Sequence, residues 1–325
     1  MTNRRIVIGA LVCGLLALTS SAEAQPSATP RKIGFLGMDS QMQAEWLESF
    51  RDELRKLGYA DGQSISIEYR WAEGRFDRLP ELADELVARK PSVLVTAAPP
   101  AVRALQHATT TIPIVMTAHD PVGLGFAQSF AHPGGNVTGV AFQDADLSLK
   151  RLDLLRQAVP RVTRLAIIWN REGGGTSAVQ AVETAAHELG IQTLVLEVRE
   201  PRDFALHVTA AKSWGAQGLA QLASPFITKN RALLLEQLVT NHVPATCEMR
   251  RYVVEGCLMT YSANLNGLFR RLAYYVDRIL RGANPADLPI EQPREFEFVI
   301  NLKTARALGL TVPQVLLLQA SEAIE

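Results

Sequence analysis

The chain has 325 residues and carries 33 basic and 33 acidic side chains, so its formal charge is zero at pH 7. This length exceeds what one hydrophobic core usually organises and favours two domains. Because the charges balance and no basic block stands out, the composition argues against a nucleic acid or another polyanion as partner.

The first residues form a targeting segment. An Arg-Arg pair at positions 4–5 is followed by an apolar run at residues 6–18 and by a small-residue cleavage sequence ending at Ala24. This order is typical of a secretory signal peptide, and the apolar run is too short to span a bilayer. We therefore predict a signal peptide at residues 1–24, cleaved after Ala24, and a periplasmic protein. The general and twin-arginine export routes both remain open.

After cleavage the chain keeps two cysteines, Cys247 and Cys257. An oxidising compartment permits a disulfide between them. Each cysteine is also suited to a small buried apolar position. The sequence leaves these two interpretations open.

Strands and helices alternate along the rest of the chain, which is typical of βαβ units and parallel sheets. The first expected strands lie at residues 32–37, 64–69, 92–96 and 112–116. From about Val137 the chain is expected to leave this sheet. The second expected strands lie at residues 164–169, 193–198, 218–222, 244–247, 257–261 and 296–301.

Two successive runs of this kind predict an α/β protein with two doubly wound, Rossmann-like parallel-sheet lobes joined by a hinge of crossing segments. The expected boundaries assign residues 31–140 plus 263–290 to lobe 1. Residues 141–262 plus 291–325 are then assigned to lobe 2. A cleft between the lobes would receive the strand ends of both sheets.

The stretch at residues 112–121 carries the strongest ligand signal. Its apolar run ends at Met116 and is followed by the polar sequence from Thr117 to Asp120. Ligands of parallel sheets bind beyond the carboxyl ends of the strands, so these residues are expected to meet a ligand. Asp120 is also expected to cap a helix beginning at Pro121.

Residues typical of catalysis or cofactor binding are not grouped in any recognisable pattern. The six histidines are scattered without metal-ligand spacing, and neither a nucleophile elbow nor a dinucleotide fingerprint is present. The glycine run at residues 173–175 lacks the spacing of a phosphate-binding loop and is interpreted as a loop at the rim of the cleft. We therefore predict no catalytic residue, no metal and no cofactor.

Several longer segments occur in a characteristic order. They are Tyr-Arg-Trp-Ala-Glu-Gly at residues 69–74, Ile-Pro-Ile-Val at 112–115, Asp-Pro-Val at 120–122, His-Pro-Gly-Gly-Asn-Val-Thr-Gly at 132–139, Leu-Met-Thr-Tyr-Ser at 258–262 and Phe-Val-Ile-Asn-Leu-Lys-Thr-Ala at 298–305. Together they resemble the substrate-binding proteins of a bacterial ABC transporter family with the type I periplasmic-binding-protein fold. This family includes proteins similar to tryptophan and tyrosine uptake receptors.

The resemblance implies a receptor that closes on a small molecule, an amino acid or related small carboxylate, and presents it to an ABC transporter permease in the inner membrane. Positions matching the family's carboxylate-binding loops are Ala98, Pro99, Thr117 and Ala118. Acceptors for an ammonium group would be Asp120 and Glu248. Residues closing from the other lobe would be Asn170, Ser224 and Tyr261. The strand-end residues Asp39, Ser40 and His119 complete the predicted ligand-binding set.

Departures from the family pattern leave other functions open. Ala118-His119 stands where family members often have Gly-Gly, and His119 with Arg171 would favour a more acidic or bulkier anion. An exported hydrolase or isomerase would use His119 with Asp120 in the same cleft. A ligand-sensing module would instead dock on a signalling receptor. We expect a monomer, because no repeating exposed apolar face is evident.

Overall fold

The computed structural model describes residues 30–142, 144–159, 161–171 and 176–325. The predicted signal peptide at residues 1–24 and the glycine run at residues 173–175 lie outside these ranges. The strands are β1 (Arg31–Gly37), β2 (Ile65–Trp71), β3 (Val93–Ala97), β4 (Ile114–His119), β5 (Val137–Phe142), β6 (Arg164–Trp169), β7 (Gln192–Glu197), β8 (Gly218–Gln221), β9 (Ala245–Cys247), β10 (Met259–Ala263), β11 (Phe296–Asn301) and β12 (Glu322–Ile324).

The helices alternate with these strands for most of the chain. They are α1 (Ser40–Lys56), α2 (Leu79–Ala88), α3 (Pro99–Ala108), α4 (Asp144–Ala158), α5 (Thr176–Glu188), α6 (Asp203–Trp214), α7 (Pro225–Lys229), α8 (Arg231–Thr240), α9 (Arg250–Val254), α10 (Leu265–Leu280), α11 (Leu302–Ala307) and α12 (Gln314–Gln319). Short 3-10 turns occupy Phe76–Arg78 and Pro285–Asp287. In the described ranges, no helix combines the length and apolar character that crossing a bilayer requires.

The strands form two sheets, and each sheet with its packed helices is called a lobe here. Lobe 1 holds a five-stranded sheet in the order β2-β1-β3-β4-β5, and lobe 2 holds a seven-stranded sheet in the order β12-β11-β10-β9-β8-β6-β7. The lobe 1 pairs are parallel, whereas β11 runs antiparallel to β10 in lobe 2. The predicted α/β class with two doubly wound sheets is confirmed.

Each sheet is buried on both faces, which explains the continuous apolar runs of its strands. In β6, Leu165 and Ile167 belong to one hydrophobic cluster, whereas Ala166 and Ile168 belong to the cluster on the opposite face. Successive side chains of a strand point to opposite faces, so a strand covered by helices on both sides needs apolar residues at every position.

The expected end of β4 at Met116 is wrong, because β5 remains in the first sheet. β4 continues to His119, and its last rungs pair Thr117 with Val140 and His119 with Phe142. The expectation that the chain leaves this sheet at Val137 is wrong for the same reason. Thr117 and His119 therefore belong to a strand, which fixes their side chains more firmly than a loop would.

No helix begins at Pro121, contrary to the expectation. Asp120 Oδ1 instead accepts a hydrogen bond from the Gly123 N–H at 3.0 Å, and residues 121–125 form turns. Gly125 has φ +75°, a conformation that glycine adopts without strain and that a helix does not contain. The aspartate therefore caps a turn.

The chain passes between the lobes after β5, after β10 and before β11. After β10 it returns to lobe 1, where α10 packs Leu268 and Leu272 against the cluster that contains β1 and β3. Glu291, on the last crossing, exchanges backbone hydrogen bonds with Gly139 and Ala141 of β5. The last crossing segment is therefore hydrogen-bonded to β5, the strand that directly precedes the first crossing.

Cys247 and Cys257 form a disulfide, which decides between the two alternatives left open by the sequence. Both cysteines are buried in the lobe 2 core. We expect the Cys247→Ala/Cys257→Ala variant to lose about 2–3 kcal/mol of unfolding free energy, because an unfolded chain without the link has more conformations. Urea unfolding with and without reductant measures this loss. Reductant should destabilise only the parent protein. Equal stability of the parent protein and the variant in the absence of reductant would contradict the prediction.

Candidate ligand-binding cleft

A cleft lies between the two lobes. Its walls come from segments that directly follow the carboxyl ends of β1, β3, β8 and β9 and from the last residues of β4, as the rule for parallel sheets requires. The lining residues are Met38, Asp39, Met42, Gln43, Trp46, Gly74, Phe76, Ala97, Ala98, Pro99, Thr117, Ala118, His119, Ala223, Ser224, Pro225, Thr228, Lys229, Arg231, Glu248, Met249, Leu265 and Phe269.

The structure brings together most of the residues predicted from the sequence. Those that line the cleft are Asp39, Ala98, Pro99, Thr117, Ala118, His119, Ser224 and Glu248. The remaining predicted residues, outside this lining, are Ser40, Asp120, Asn170 and Tyr261.

These remaining residues have contacts elsewhere. The Ser40 N–H points at the Glu73 carboxylate, and the Tyr261 ring stacks on Phe296 with 5.7 Å between centroids. Asn170 lies behind Ser224 and accepts a 3.4 Å hydrogen bond from its hydroxyl. Because the Asp120 carboxylate caps a turn, the structure does not direct His119 and Asp120 together into the cleft as an acid–base pair.

Much of the lining is apolar, and the sequence patterns missed this part. Met38 lies just after β1, and Met42 and Trp46 lie one turn apart on α1. Trp46 packs on Phe269 of α10 at 5.8 Å between ring centroids. The i, i+4 spacing of Met42 and Trp46 after the Asp39 cap is a local signal for this wall. Phe269 is brought to the cleft only by the return of the chain to lobe 1.

Thr117 lines the cleft and carries a buried hydroxyl. The residue is 4% exposed, and Oγ1 has no hydrogen-bond partner among the described residues. A buried polar atom without a partner is unfavourable by about 1–3 kcal/mol, so such atoms in native proteins usually have a role. An acceptor on a ligand would satisfy this hydroxyl.

The neighbouring loop at Ala98 supplies shape rather than backbone donors. The Ala98 N–H already donates to the Thr117 carbonyl at 3.0 Å, and Pro99 and Pro100 have no N–H. Ala98 has φ +83°, which is unfavourable for a residue with a Cβ and is typical of functional loops. A carboxylate at this point would therefore depend on the Thr117 hydroxyl more than on the N–H of Ala98.

Glu248 holds the opposite wall together. It is 8% exposed, and its carboxylate accepts hydrogen bonds from the Ser224 N–H at 3.1 Å, from the Tyr252 hydroxyl at 3.3 Å and from the Thr228 hydroxyl. Burial, and then the charge of Glu248, raise the pKa of Tyr252 well above its usual value, which keeps this hydroxyl protonated as a donor. Glu248 thus fixes α7 at its fourth residue, Thr228, and at the preceding cap, Ser224.

The basic side chains near the cleft are engaged in different ways. Lys229 Nζ donates to the Gly74 carbonyl at 2.7 Å, and Arg231 makes two hydrogen bonds to the carboxylate of Glu255. Arg171 lies outside the described lining and pairs with Glu197 at 3.1 Å. The predicted anion-binding partnership of His119 and Arg171 therefore finds no support in this geometry. Within the described ranges, no three potential metal ligands come together.

Comparison with known proteins gives the family. The family model described as ABC transporter substrate binding protein matches residues 36–324. The tyrosine-binding protein of Clostridioides difficile (strain R20291) is 25% identical over 268 residues, which are 81% of this chain and 76% of the relative.

Two solved structures share the fold, each with a TM-score of 0.85 and 24% identity. One is the ABC domain in complex with L-Trp from Streptococcus pneumoniae, with coverage of 91% of this chain and 100% of that chain. The other is a conserved domain protein from Vibrio cholerae, with coverage of 90% and 99%. The predicted resemblance and fold are confirmed. Because the family model spans almost the whole chain, the protein belongs to the ABC transporter substrate binding protein family.

Proposed function

We propose that this protein is the periplasmic solute-binding component of an ABC importer. In this role it closes its two lobes on an amino acid or related small carboxylate and delivers it to a permease in the inner membrane. The observation that carries the proposal is the unpartnered, buried hydroxyl of Thr117, a residue that lines an interlobe cleft with an apolar wall. Such a cleft suits a ligand with one polar end and one apolar end.

The chemistry of the lining supports this ligand class. The lining includes the hydroxyl residues Thr117 and Ser224 and the aromatic residues Trp46, Phe76 and Phe269. Tyrosine and tryptophan, named for two of the relatives, each combine a carboxylate and an ammonium group with an aromatic ring. An amino acid with a large apolar side chain would match both the hydroxyl groups and the aromatic rings of the lining.

Two further observations support an exported protein. The Cys247–Cys257 disulfide is typical of an oxidising compartment such as the periplasm. The predicted signal peptide at residues 1–24 supplies the route. We propose that the protein acts in the periplasm as a monomer, with the permease as its protein partner.

A thermal-shift screen against amino acids, small carboxylates and purine-like compounds tests the proposal. A ligand at a hundredfold excess over its Kd stabilises the native state by about 2.7 kcal/mol. We expect L-tyrosine, L-tryptophan or another amino acid with a large apolar side chain to raise the melting temperature most, and to be recovered unchanged. Consumption of the compound, or no shift with any amino acid or carboxylate, would contradict the proposal.

The Thr117→Val variant tests the proposed carboxylate contact. Valine keeps the shape of threonine, so only the hydroxyl is lost. We expect ligand affinity, measured by calorimetry, to fall about tenfold to a hundredfold, the usual effect of losing a hydrogen bond to a charged group. The ligand-free protein should be equally stable or more stable, because the unpartnered hydroxyl is gone.

Thr246 provides the matched control. Its hydroxyl is also buried without a partner among the described residues, but the residue lies in β9 outside the cleft lining. Thr246→Val should therefore leave affinity unchanged. Equal affinities of the Thr117→Val variant and the parent protein would show that this hydroxyl does not bind the ligand.

A further inference from the structure

The Lys229 side chain bridges the two lobes at the cleft. Lys229 is the last residue of α7 in lobe 2, and its Nζ donates a 2.7 Å hydrogen bond to the Gly74 carbonyl of lobe 1. Both residues belong to the cleft lining. The bond therefore connects the two lobes directly at the edge of the space where the ligand is proposed to bind.

Both ends of this bond are held firmly within their own lobes. On lobe 1, the Gly74 N–H donates to the Met38 carbonyl and the Ala72 N–H to the Gly37 carbonyl, each at 3.0 Å. These bonds fix the Gly74 loop to the end of β1. On lobe 2, the hydrogen bonds of Glu248 described above fix α7. Separation of the lobes would thus break the bond, because neither end can follow the other.

The close approach also requires glycine at position 74. Gly74 has φ +71°, and a Cβ added there would lie 2.7 Å from both Cδ and Cε of Lys229. The apolar stem of the lysine therefore lies directly over the backbone of the loop. A side chain at position 74 would push the lysine away and strain the backbone.

We propose that Lys229 and the Gly74 carbonyl form a latch that stabilises the closed arrangement of the lobes and slows ligand release. This inference rests on the proposed function, because the latch closes the same cleft. Lys229 acts as a positioning residue, since it holds the lobes and needs no contact with the ligand. An interaction made only in the closed state lowers the dissociation rate and leaves the association rate nearly unchanged.

The first test replaces Lys229 with methionine, which keeps the apolar stem and removes the donor. The probe is L-tyrosine. Its binding and release are measured by stopped-flow tryptophan fluorescence, to which Trp46 in the cleft wall contributes. We expect the dissociation rate to rise about fivefold with an unchanged association rate, a moderate effect because the lysine is partly exposed to water. Lys229→Arg retains a donor and should stay within about twofold of the parent protein.

Two comparisons separate the latch from a general structural role. Lys212→Met removes an exposed lysine of α6 away from the cleft and should change neither rate. Gly74→Ala should raise the dissociation rate in the parent background. In the Lys229→Ala background its effect should be smaller, because the atoms that meet the new Cβ are absent. Equal effects in the two backgrounds would contradict the latch.

Small-angle X-ray scattering without ligand distinguishes failure of the latch from failure of the proposed function. We expect a larger radius of gyration for Lys229→Met than for the parent protein and for Lys212→Met. If the parent protein binds L-tyrosine but the dissociation rate is unchanged in Lys229→Met, the latch is wrong and the proposed function stands. If the parent protein does not bind L-tyrosine, scattering alone decides, and identical radii of gyration overturn the latch.

Discussion

Glu248→Ala is expected to lower the unfolding free energy by about 3–5 kcal/mol and to weaken ligand binding in the same variant, because a buried carboxylate with several hydrogen bonds is removed. The Ser224 N–H would lose its acceptor, and the hydroxyls of Thr228 and Tyr252 would lose one of their two acceptors each. All three position α7, which forms part of the cleft wall. Loss of the carboxylate should therefore reduce stability and affinity together.

Glu248→Gln separates charge from shape. The amide keeps one acceptor oxygen but turns an NH2 group toward a donor, so we expect an intermediate loss of stability. Chemical denaturation and calorimetry measure both quantities, and Glu188→Ala on the exposed end of α5 is the control that should change neither. Parent-like stability and affinity in Glu248→Ala would show that α7 does not depend on this residue.

The same variants distinguish support of α7 from a direct contact with the ligand's ammonium group. If Glu248 acts only on α7, Glu248→Gln should weaken binding of an amino acid and of its deaminated carboxylate analogue by the same factor. A direct contact predicts a larger loss for the amino acid. Both ligands are measured on one protein preparation, so a difference cannot come from misfolding.

Gly139→Ala is expected to cost more than about 3 kcal/mol of unfolding free energy. Gly139 lies in β5 opposite Met116, with φ +142°, and an added Cβ would lie 2.0 Å from the Met116 carbonyl oxygen. Backbone atoms of a paired strand cannot move away as a flexible side chain can. The variant should therefore distort the edge of the lobe 1 sheet and its bonds to Glu291 on the crossing segment.

Gly135→Ala is the matched control for this prediction. Gly135 lies in the same glycine-rich segment, and an added Cβ would meet no atom within 4 Å. Thermal unfolding should show little change for Gly135→Ala and a large decrease in melting temperature for Gly139→Ala. Similar melting temperatures for the two variants would mean that β5 tolerates a Cβ at position 139.

The segment at residues 132–139 shows how a recognised motif acquires a physical meaning. Asn136 Nδ2 donates to the carbonyls of Thr109 and Ile112, and Thr138 Oγ1 donates to the Leu288 carbonyl at 2.7 Å. None of these residues lines the cleft. The motif therefore builds the connection into β5 and the crossing segments and lies outside the cleft lining.

The buried strands were predictable because their pattern is local. The predicted ranges of β6 and β11 equal the observed ones. In β6 every residue after Arg164 is apolar, because the strand is covered on both faces. The positions of Thr117, Ser224 and Glu248 follow from the same pattern together with the rule that ligands bind at strand ends. In contrast, α7 and α9 have only five residues each, and helices this short show no amphipathic repeat from which they could be predicted.

The sequence by itself thus determined the two-lobe α/β class, the family resemblance and most of the strand-end residues of the cleft. The tertiary structure decided that the cysteines form a disulfide, that β5 pairs with β4 as far as His119, and that Phe269 completes the apolar wall. It also decided that Lys229 meets Gly74, which is 155 positions away in the chain. A local pattern records whether a residue is buried, but contacts between distant segments depend on how both lobes fold and meet.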